Sequence, residues 1–293
     1  MMTSIGTRDE RAARFLAGTV ASNKFPGVQY VAVSAKERLF EYDGGLADVE
    51  NAIPMTPATT MMAYSMTKTY TAAAVLQLVE QGKVSLDESV LNYLPAFPYG
   101  PAITVRHLLS QTSGLPNPIP LRWAHPVSRD PSFDEPTALR EVMAAHPKLA
   151  FAPGKRYGYS NLSYWLLGAV IERTAGEPYQ SYMERRMIAP LGLKPTDAGF
   201  SIVDASAHAK GYLARRSIMN LMKRVLLDKE LIGHDFNFIY LDLTNTAQIR
   251  GLERPEATYM IFCQAEDREF DELGAVFRAI TTSLLSSCDA DED

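Results

Sequence analysis

The residues of this sequence best suited to chemistry are a serine and a lysine three positions apart, Ser65 and Lys68. If a helix begins near Ser65, this spacing places both side chains on one face of the helix, about one turn apart. A serine hydroxyl is a weak nucleophile at neutral pH, and a neighbouring amine can activate it by accepting its proton. The pair therefore indicates nucleophilic catalysis by Ser65 with Lys68 as the base.

The helix that would carry this pair is apolar around most of its circumference from Tyr70 to Val79, and Gly82 stands where it should end. We expect a buried central helix, which would hold Ser65 and Lys68 on a rigid element. The competing interpretation is that one Ser-x-x-Lys arises from composition alone in a chain of this length.

A second group of residues, Tyr159-Ser160-Asn161, precedes an amphipathic helix that should stop at Gly176. It is the only Tyr-x-Asn in the chain, and Ser65-x-x-Lys68 is the only Ser-x-x-Lys. Without a catalytic role, Tyr159 would be a half-buried aromatic and Asn161 the N-cap of the helix. Tyr157 is a rival tyrosine, but it has no asparagine two residues later.

The elements that must position these motifs change type along the chain. We predict a surface helix at 8–21, a hairpin of strands within 28–42, strands at 238–243 and 257–264, and a last helix at 267–286. This order predicts an α/β (α+β) fold, with an antiparallel sheet from both chain ends, flanking helices and an inserted helical region.

The predicted domains follow from this order. Residues 1–62 and 235–288 would form the sheet region, and residues 63–234 the helical region that carries both motifs. Residues 289–293 would be a disordered tail. Within the helical region, we predict a helix at 105–111 that is capped by Thr104.

Composition narrows the possible functions. The 293 residues are 46% hydrophobic, which allows a large core. A net charge of −5 without a stripe of basic residues argues against a nucleic-acid partner. The sequence shows neither a signal-peptide pattern nor an apolar stretch that could span a bilayer, so we predict a soluble, cytoplasmic protein with no membrane partner. The five histidines are scattered and there are only two cysteines, so we predict no metal, no cofactor and no disulfide framework.

With both motifs in view, the sequence resembles the serine β-lactamase and penicillin-binding-protein superfamily, and this resemblance implies a β-lactamase/transpeptidase-like fold. It is most similar to the class C-like branch, with the family VIII carboxylesterases and the relatives of D-alanyl-D-alanine carboxypeptidases. Other stretches also look like landmarks of this superfamily: Phe25-Pro26-Gly27, Gly44 to Asp48, Leu78 to Lys83, Val105 to Leu115, Phe151 to Gly168 and Pro190 to Leu193.

The resemblance implies a role for each motif residue. Ser65 would be the acylated nucleophile, Lys68 its proton partner, and Tyr159 a second base that also protonates the leaving group. Asn161 would bind the substrate and orient Lys68. The backbone N–H of Ser65 would be one oxyanion-hole donor, and a C-terminal strand would supply the other. The implied partner is a small-molecule ester or amide substrate, and the oligomeric state is left open.

The third motif of these relatives, Lys-Thr-Gly or a His/Trp-Gly variant on an edge strand, is where this sequence departs from the pattern. It has no Lys-Thr-Gly, and the nearest candidate is Gly233-His234-Asp235. His234 would then contact the substrate, although a surface histidine without a function fits equally well. The interval from Gly211 to Gly233 is also shorter than in these relatives.

Three functions from different classes fit these observations. One is a serine hydrolase of the carboxylesterase type, the second is a β-lactamase or penicillin-binding carboxypeptidase, and the third is a non-catalytic binding protein on the same fold. The first is favoured because a missing Lys-Thr-Gly removes the cation that holds the carboxylate of β-lactams, and esterases of the superfamily tolerate that loss.

Overall fold

The computed structural model describes residues 8–22, 26–33, 38–118, 125–126, 133–213, 239–241 and 246–247. These residues divide into two compact units. Of the described residues, those up to Met61 and those in 205–213 and 239–241 belong to unit 1, and the others belong to unit 2.

Unit 1 contains a helix and a small antiparallel sheet. The helix α1 spans Arg8–Ala21, and the strands β1 (Gly27–Val33), β2 (Arg38–Asp48) and β3 (Ile53–Pro54) lie in that order in the sheet. Alternate residues of a strand point to one face, so β1 and β2 present one apolar face on which α1 can pack. The predicted helix and hairpin are confirmed.

The core of this part of unit 1 lies between α1 and the sheet. Ala12 and Leu16 of α1 are buried together with Val28 and Phe40 of the two strands. The two helix residues are four positions apart and therefore share one face of α1. This contact is what orders the N-terminal helix on the hairpin.

Residues 205–213 also belong to unit 1, although the sequence placed them in the helical region. Gly211–Leu213 pairs antiparallel with Ile239–Leu241, and Thr60 forms a parallel bridge with His208. These backbone bonds, rather than any local sequence pattern, tie the segment to unit 1. The predicted strand at 257–264, the last helix at 267–286 and the tail at 289–293 lie outside the described residues.

Unit 2 is mainly helical. Its α-helices are α2 (Thr67–Glu80), α3 (Val105–Leu109), α4 (Glu135–Ala145), α5 (Asn161–Ala175) and α6 (Tyr179–Met183). In the parts of the chain described above, no helix is long and apolar enough to cross a bilayer.

The core of unit 2 brings α2, α3 and α5 together. Leu78 of α2, Leu108 of α3 and Leu167 of α5 are all fully buried in one cluster. Helix α5 contacts both α2 and α3, so it is the element that positions the other two. The apolar face predicted for α5 is confirmed.

Helix α2 differs from the prediction of a helix buried on most sides. Thr71, Ala74, Val75 and Leu78 are buried, but Leu76 is 50% exposed. Alanine and leucine favour a helix through their intrinsic propensity even where they do not pack. The apolar run therefore reflects helix formation as well as burial, and one face of α2 meets solvent.

Helix α3 is shorter than predicted. Thr104 caps it as expected, in a capping box in which the Thr104 hydroxyl accepts from the His107 backbone and His107 Nδ1 accepts from the Thr104 backbone. The helix ends at Leu109 because Gln111 has a left-handed backbone with φ of +57°. An α-helix cannot continue through that conformation.

Candidate active site

Ser65 and Lys68 lie at the junction of two kinds of helix. Ser65 is in a 3₁₀ turn, Tyr64–Met66, and Lys68 is the second residue of α2. The α-helix therefore starts later than predicted, but a 3₁₀ turn also brings residues i and i+3 onto one side. Lys68 Nζ donates a hydrogen bond to Ser65 Oγ at 3.1 Å.

Tyr159 reaches the same serine from a distant part of the chain. Its hydroxyl lies 2.7 Å from Ser65 Oγ, within hydrogen-bond distance. Ser65 Oγ is thus in contact with both an amine and a phenol. The side chain of Tyr159 is 39% exposed, so the group is open to a molecule from solvent.

Two aromatic rings surround the Lys68 amine. Its Nζ lies 5.1 Å from the ring centroid of Tyr159 and 5.8 Å from that of Tyr164. Both distances are within the range over which a ring face attracts a cation. The Tyr164 hydroxyl donates a hydrogen bond to Leu109 O at 3.0 Å, and burial raises the pKa of Tyr164.

Tyr164 was not among the predicted site residues. The available signal was its position three residues after Asn161, which places both on one side of the first turn of α5. The apolar pattern of α5 concealed this signal, because an aromatic residue in an amphipathic helix is usually part of a core.

Asn161 is the first residue of α5, and Ser160 is its N-cap, which corrects the predicted cap. The Ser160 side chain makes no capping bond, because its hydroxyl donates to Pro116 O at 2.7 Å. The Asn161 backbone donates to Asn117 Oδ1 at 2.9 Å. The Asn161 Oδ1 is buried and accepts no hydrogen bond from any described residue, so the predicted contact with Lys68 is not made through this oxygen.

The segment that carries Tyr159 is anchored by the loop after α3. Gly158 N donates to Gln111 O at 2.8 Å, and Ser160 N donates to Gln111 Oε1 at 2.9 Å. A Cβ at Gly158 would lie 2.5 Å from the ring of Phe151, so this position needs a glycine. Sequence reasoning missed Gln111, which has no motif of its own beyond the landmark stretch.

Some predicted parts of the site cannot be placed. His234 and its Gly-His-Asp motif lie outside the described residues, and so does most of the C-terminal region that was expected to supply the second oxyanion donor. The residues that the structure brings together are Ser65, Lys68 and Tyr159. Their catalytic roles remain predictions.

Comparison with known proteins identifies the family of this chain. A family model described as Beta-lactamase matches residues 12–225. The chain belongs to the Beta-lactamase family. This match confirms the resemblance drawn from the two motifs.

Two curated relatives from bacteria show how this family member compares in sequence. Esterase EstB of Burkholderia gladioli is 36% identical over 201 residues, which cover 62% of this chain and 49% of the esterase. Protein flp of Staphylococcus aureus (strain MW2) is 29% identical over 178 residues, covering 58% of this chain and 34% of that protein. The chain therefore spans between a third and a half of the length of these two relatives.

A solved structure supports the family fold. The octameric penicillin-binding protein homologue from Pyrococcus abyssi superposes with a TM-score of 0.63 at 25% identity, over 85% of this chain and 53% of that chain. The β-lactamase/transpeptidase-like fold, with helices and a small antiparallel sheet, is thus confirmed.

Proposed function

We propose that this protein is a serine hydrolase that cleaves carboxylic esters through an acyl-serine intermediate on Ser65. The observation that carries this proposal is the position of Ser65 Oγ, 3.1 Å from Lys68 Nζ and 2.7 Å from the Tyr159 hydroxyl. An activated nucleophile needs a base within about 2.6–3.2 Å, and the Tyr159 oxygen satisfies that distance. Lys68, which the sequence alone suggested as the base, donates to Ser65 Oγ instead.

The hydrogen bonds suggest a path for the proton. An ammonium group can only donate, so Lys68 donates to Ser65 Oγ, and the serine proton then points to the Tyr159 oxygen. As Ser65 Oγ bonds to the ester carbonyl carbon, its proton passes to the phenolate form of Tyr159, which the neighbouring Lys68 ammonium stabilises, and Tyr159 becomes a neutral phenol. When the tetrahedral intermediate collapses, the same proton passes from Tyr159 to the departing alkoxide, which leaves as the alcohol.

The second half of the reaction reverses these steps. A water molecule attacks the acyl-serine and gives its proton to Tyr159, and that proton returns to Ser65 Oγ as the acid leaves. Tyr159 is suited to both steps because its hydroxyl touches Ser65 while its side chain remains partly open to solvent. Lys68 stabilises negative charge on Ser65 Oγ and Tyr159 throughout.

Two observations favour esters over β-lactams. The relative EstB is named an esterase, and this sequence lacks the Lys-Thr-Gly motif whose cation would hold a β-lactam carboxylate. A β-lactamase or penicillin-binding activity is the second candidate, favoured by the likeness to the Pyrococcus penicillin-binding protein homologue. A binding protein without catalysis is the third.

The test is hydrolysis of p-nitrophenyl acetate and butyrate by the full chain, with nitrocefin in parallel. Ser65→Ala should lower kcat/KM for the preferred ester by about a thousandfold or more, because the nucleophile is removed. The matched control is Ser181→Ala, an exposed serine on α6, which should keep the activity of the wild type.

The second readout of this test is the intact mass of the protein, measured after the reaction is quenched with acid. The ester proposal requires an acyl adduct on the wild type and none on Ser65→Ala. Turnover of nitrocefin in preference to both esters would contradict the ester proposal and support the β-lactamase function. If no substrate is turned over and no adduct forms, the binding-protein function stands instead.

A further inference from the structure

Gln111 has a backbone conformation that glutamine rarely adopts. Its φ of +57° is left-handed, and Ala52 is the only other residue besides glycines with a positive φ in the described ranges. Three residues later Gly114 adopts φ of +74°, which costs a glycine little. A side chain other than glycine stays in this region only when the surrounding contacts hold it there, and such residues concentrate at functional sites.

The contacts that hold Gln111 lie on both sides of Tyr159. The Gln111 carbonyl oxygen accepts from Gly158 N at 2.8 Å, and its Oε1 accepts from Ser160 N at 2.9 Å. Gly158 and Ser160 are the residues immediately before and after Tyr159. A single buried residue, only 6% exposed, thus binds both of the flanking backbone amides.

This anchoring matters because packing restrains Tyr159 only in part. Its side chain is 39% exposed, yet its hydroxyl is held 2.7 Å from Ser65 Oγ and its ring lies beside Lys68. A tyrosine has two side-chain torsions, so fixing its backbone limits where the hydroxyl can be. Proton transfer is sensitive to displacements of about 1 Å, which can cost on the order of 100-fold in rate.

We propose that Gln111 is a positioning residue for the reaction, and that it acts by fixing the backbone on both sides of Tyr159. This inference rests on the proposed ester hydrolysis and adds to it a residue that no catalytic motif includes. The neighbouring hydrogen bonds hold a different segment of the chain. Pro116 O and Asn117 Oδ1 accept from the Ser160 hydroxyl and the Asn161 backbone, and so hold the start of α5.

A double-mutant cycle separates positioning from a merely structural role. Gln111→Met keeps the length of the side chain and removes the acceptor for Ser160 N. We expect kcat for p-nitrophenyl butyrate to fall about 10- to 100-fold while KM changes by less than about threefold. In a Tyr159→Phe background, the same substitution should lower kcat by less than about twofold, because the group it positions is gone.

Three further variants act as controls. Gln111→Glu retains an oxygen acceptor and should restore kcat to within about threefold of the wild type. Gln111→Gly lacks the acceptor but accommodates φ of +57° without strain, so it should fold and lose as much kcat as Gln111→Met. Ser110→Ala alters the exposed preceding residue, whose hydroxyl donates to Arg106 O, and should leave kcat unchanged.

Two outcomes would overturn the assignment. One is a kcat above about half of the wild-type value in Gln111→Gly, and the other is an equal fold-loss in the wild-type and Tyr159→Phe backgrounds. Failure of the proposed function looks different, because then the wild type itself shows no turnover that depends on Ser65.

If the wild type shows no turnover that depends on Ser65, NMR with ¹³Cζ-labelled tyrosine still tests whether Gln111 positions Tyr159. The Tyr159 resonance, assigned through Tyr159→Phe, should shift or broaden in Gln111→Gly. An unchanged resonance would overturn the inference.

Discussion

At the residue scale, the Tyr159 hydroxyl is the group on which the proposed proton path depends. It is 94 positions away from Ser65 in sequence and 2.7 Å away in space. The phenol ring has a separate contact with Lys68, so the hydroxyl can be removed while the ring remains. This separation makes the role of the hydroxyl testable.

Tyr159→Phe is expected to lower kcat/KM for p-nitrophenyl butyrate by about 10²- to 10⁴-fold, the usual contribution of a general acid–base group. The ring beside Lys68 is kept, so KM should change little. The measurement is steady-state kinetics, and Tyr157→Phe is the matched control because Tyr157 is a 64% exposed tyrosine two residues earlier. Equal losses in both variants would contradict a specific role for Tyr159.

At Asn161, we expect a substitution to affect activity and folding stability differently. Its Oδ1 is buried without a partner among the described residues, which costs on the order of 1–3 kcal/mol of folding free energy. A donor on the substrate, or the Lys68 ammonium during the reaction, could satisfy this oxygen. Such an unpaired group is typical of a site that is organised for binding rather than for stability.

We therefore expect Asn161→Ala to change the free energy of unfolding by less than about 1 kcal/mol, because relief of the unpaired oxygen offsets the lost packing. At the same time kcat/KM should fall about tenfold or more. Urea denaturation and ester kinetics measure the two quantities. A large loss of stability with full activity would show that Asn161 is purely structural.

At the scale of elements, Phe151 packs closely against both the loop after α3 and the segment before α5. A Cβ on Gly158 would come within 2.5 Å of its ring, and one on Gly114 would collide with its carbonyl oxygen. The two glycines thus let both backbones approach Phe151 closely. The position of the Tyr159 segment depends on that approach.

Gly158→Ala should push the segment away from Phe151, reduce the free energy of unfolding by about 1–3 kcal/mol and lower kcat. Adding Phe151→Leu makes room for the new methyl group and should recover part of both losses. Gly176→Ala is the comparison, since Gly176 has φ of +73° and no atom near its added Cβ. That variant should lose stability through backbone strain but keep kcat, and a matching loss of kcat would contradict this account.

Much of this element structure follows from local sequence, and part of the site does not. The Thr104 cap, the apolar face of α5 and the Ser65–Lys68 spacing are local patterns, and the structure agrees with each. The contact between Ser65 and Tyr159 is not local, so only the family resemblance could predict it.

Three features escaped prediction for physical reasons. The left-handed backbone of Gln111 and the N-cap position at Ser160 depend on hydrogen bonds to segments distant in sequence, which override the local conformational preference. Tyr164 has the sequence context of a core residue, and its position beside Lys68 depends on how α5 packs. These are contacts between elements, and a single sequence does not encode them in any short pattern.

At the scale of the whole molecule, His208 makes stability depend on pH. It is 4% exposed, its Nδ1 lies 2.9 Å from Thr60 Oγ1, and its buried Nε2 has no partner among the described residues. Burial lowers the pKa of His208 from 6.5 to about 4. The folded chain therefore keeps this imidazole neutral at a pH where the unfolded chain would protonate it.

The free energy of unfolding should consequently fall as the pH drops from about 6.5 to about 4, by up to about 3 kcal/mol from this residue. Above pH 6.5 its contribution is complete and constant. Urea denaturation at a series of pH values measures the slope, which should be smaller in His208→Gln. His146→Gln is the control, because His146 is exposed, and a flatter slope in that variant would contradict the assignment to His208.

Every group assigned to proton transfer or to its alignment lies in unit 2, between Met62 and Asp204 in the chain. A single continuous stretch of the chain therefore carries the proposed nucleophile, its lysine, its phenol and the glutamine proposed to hold the phenol. Recombination outside that stretch can exchange the flanking segments without separating these four residues.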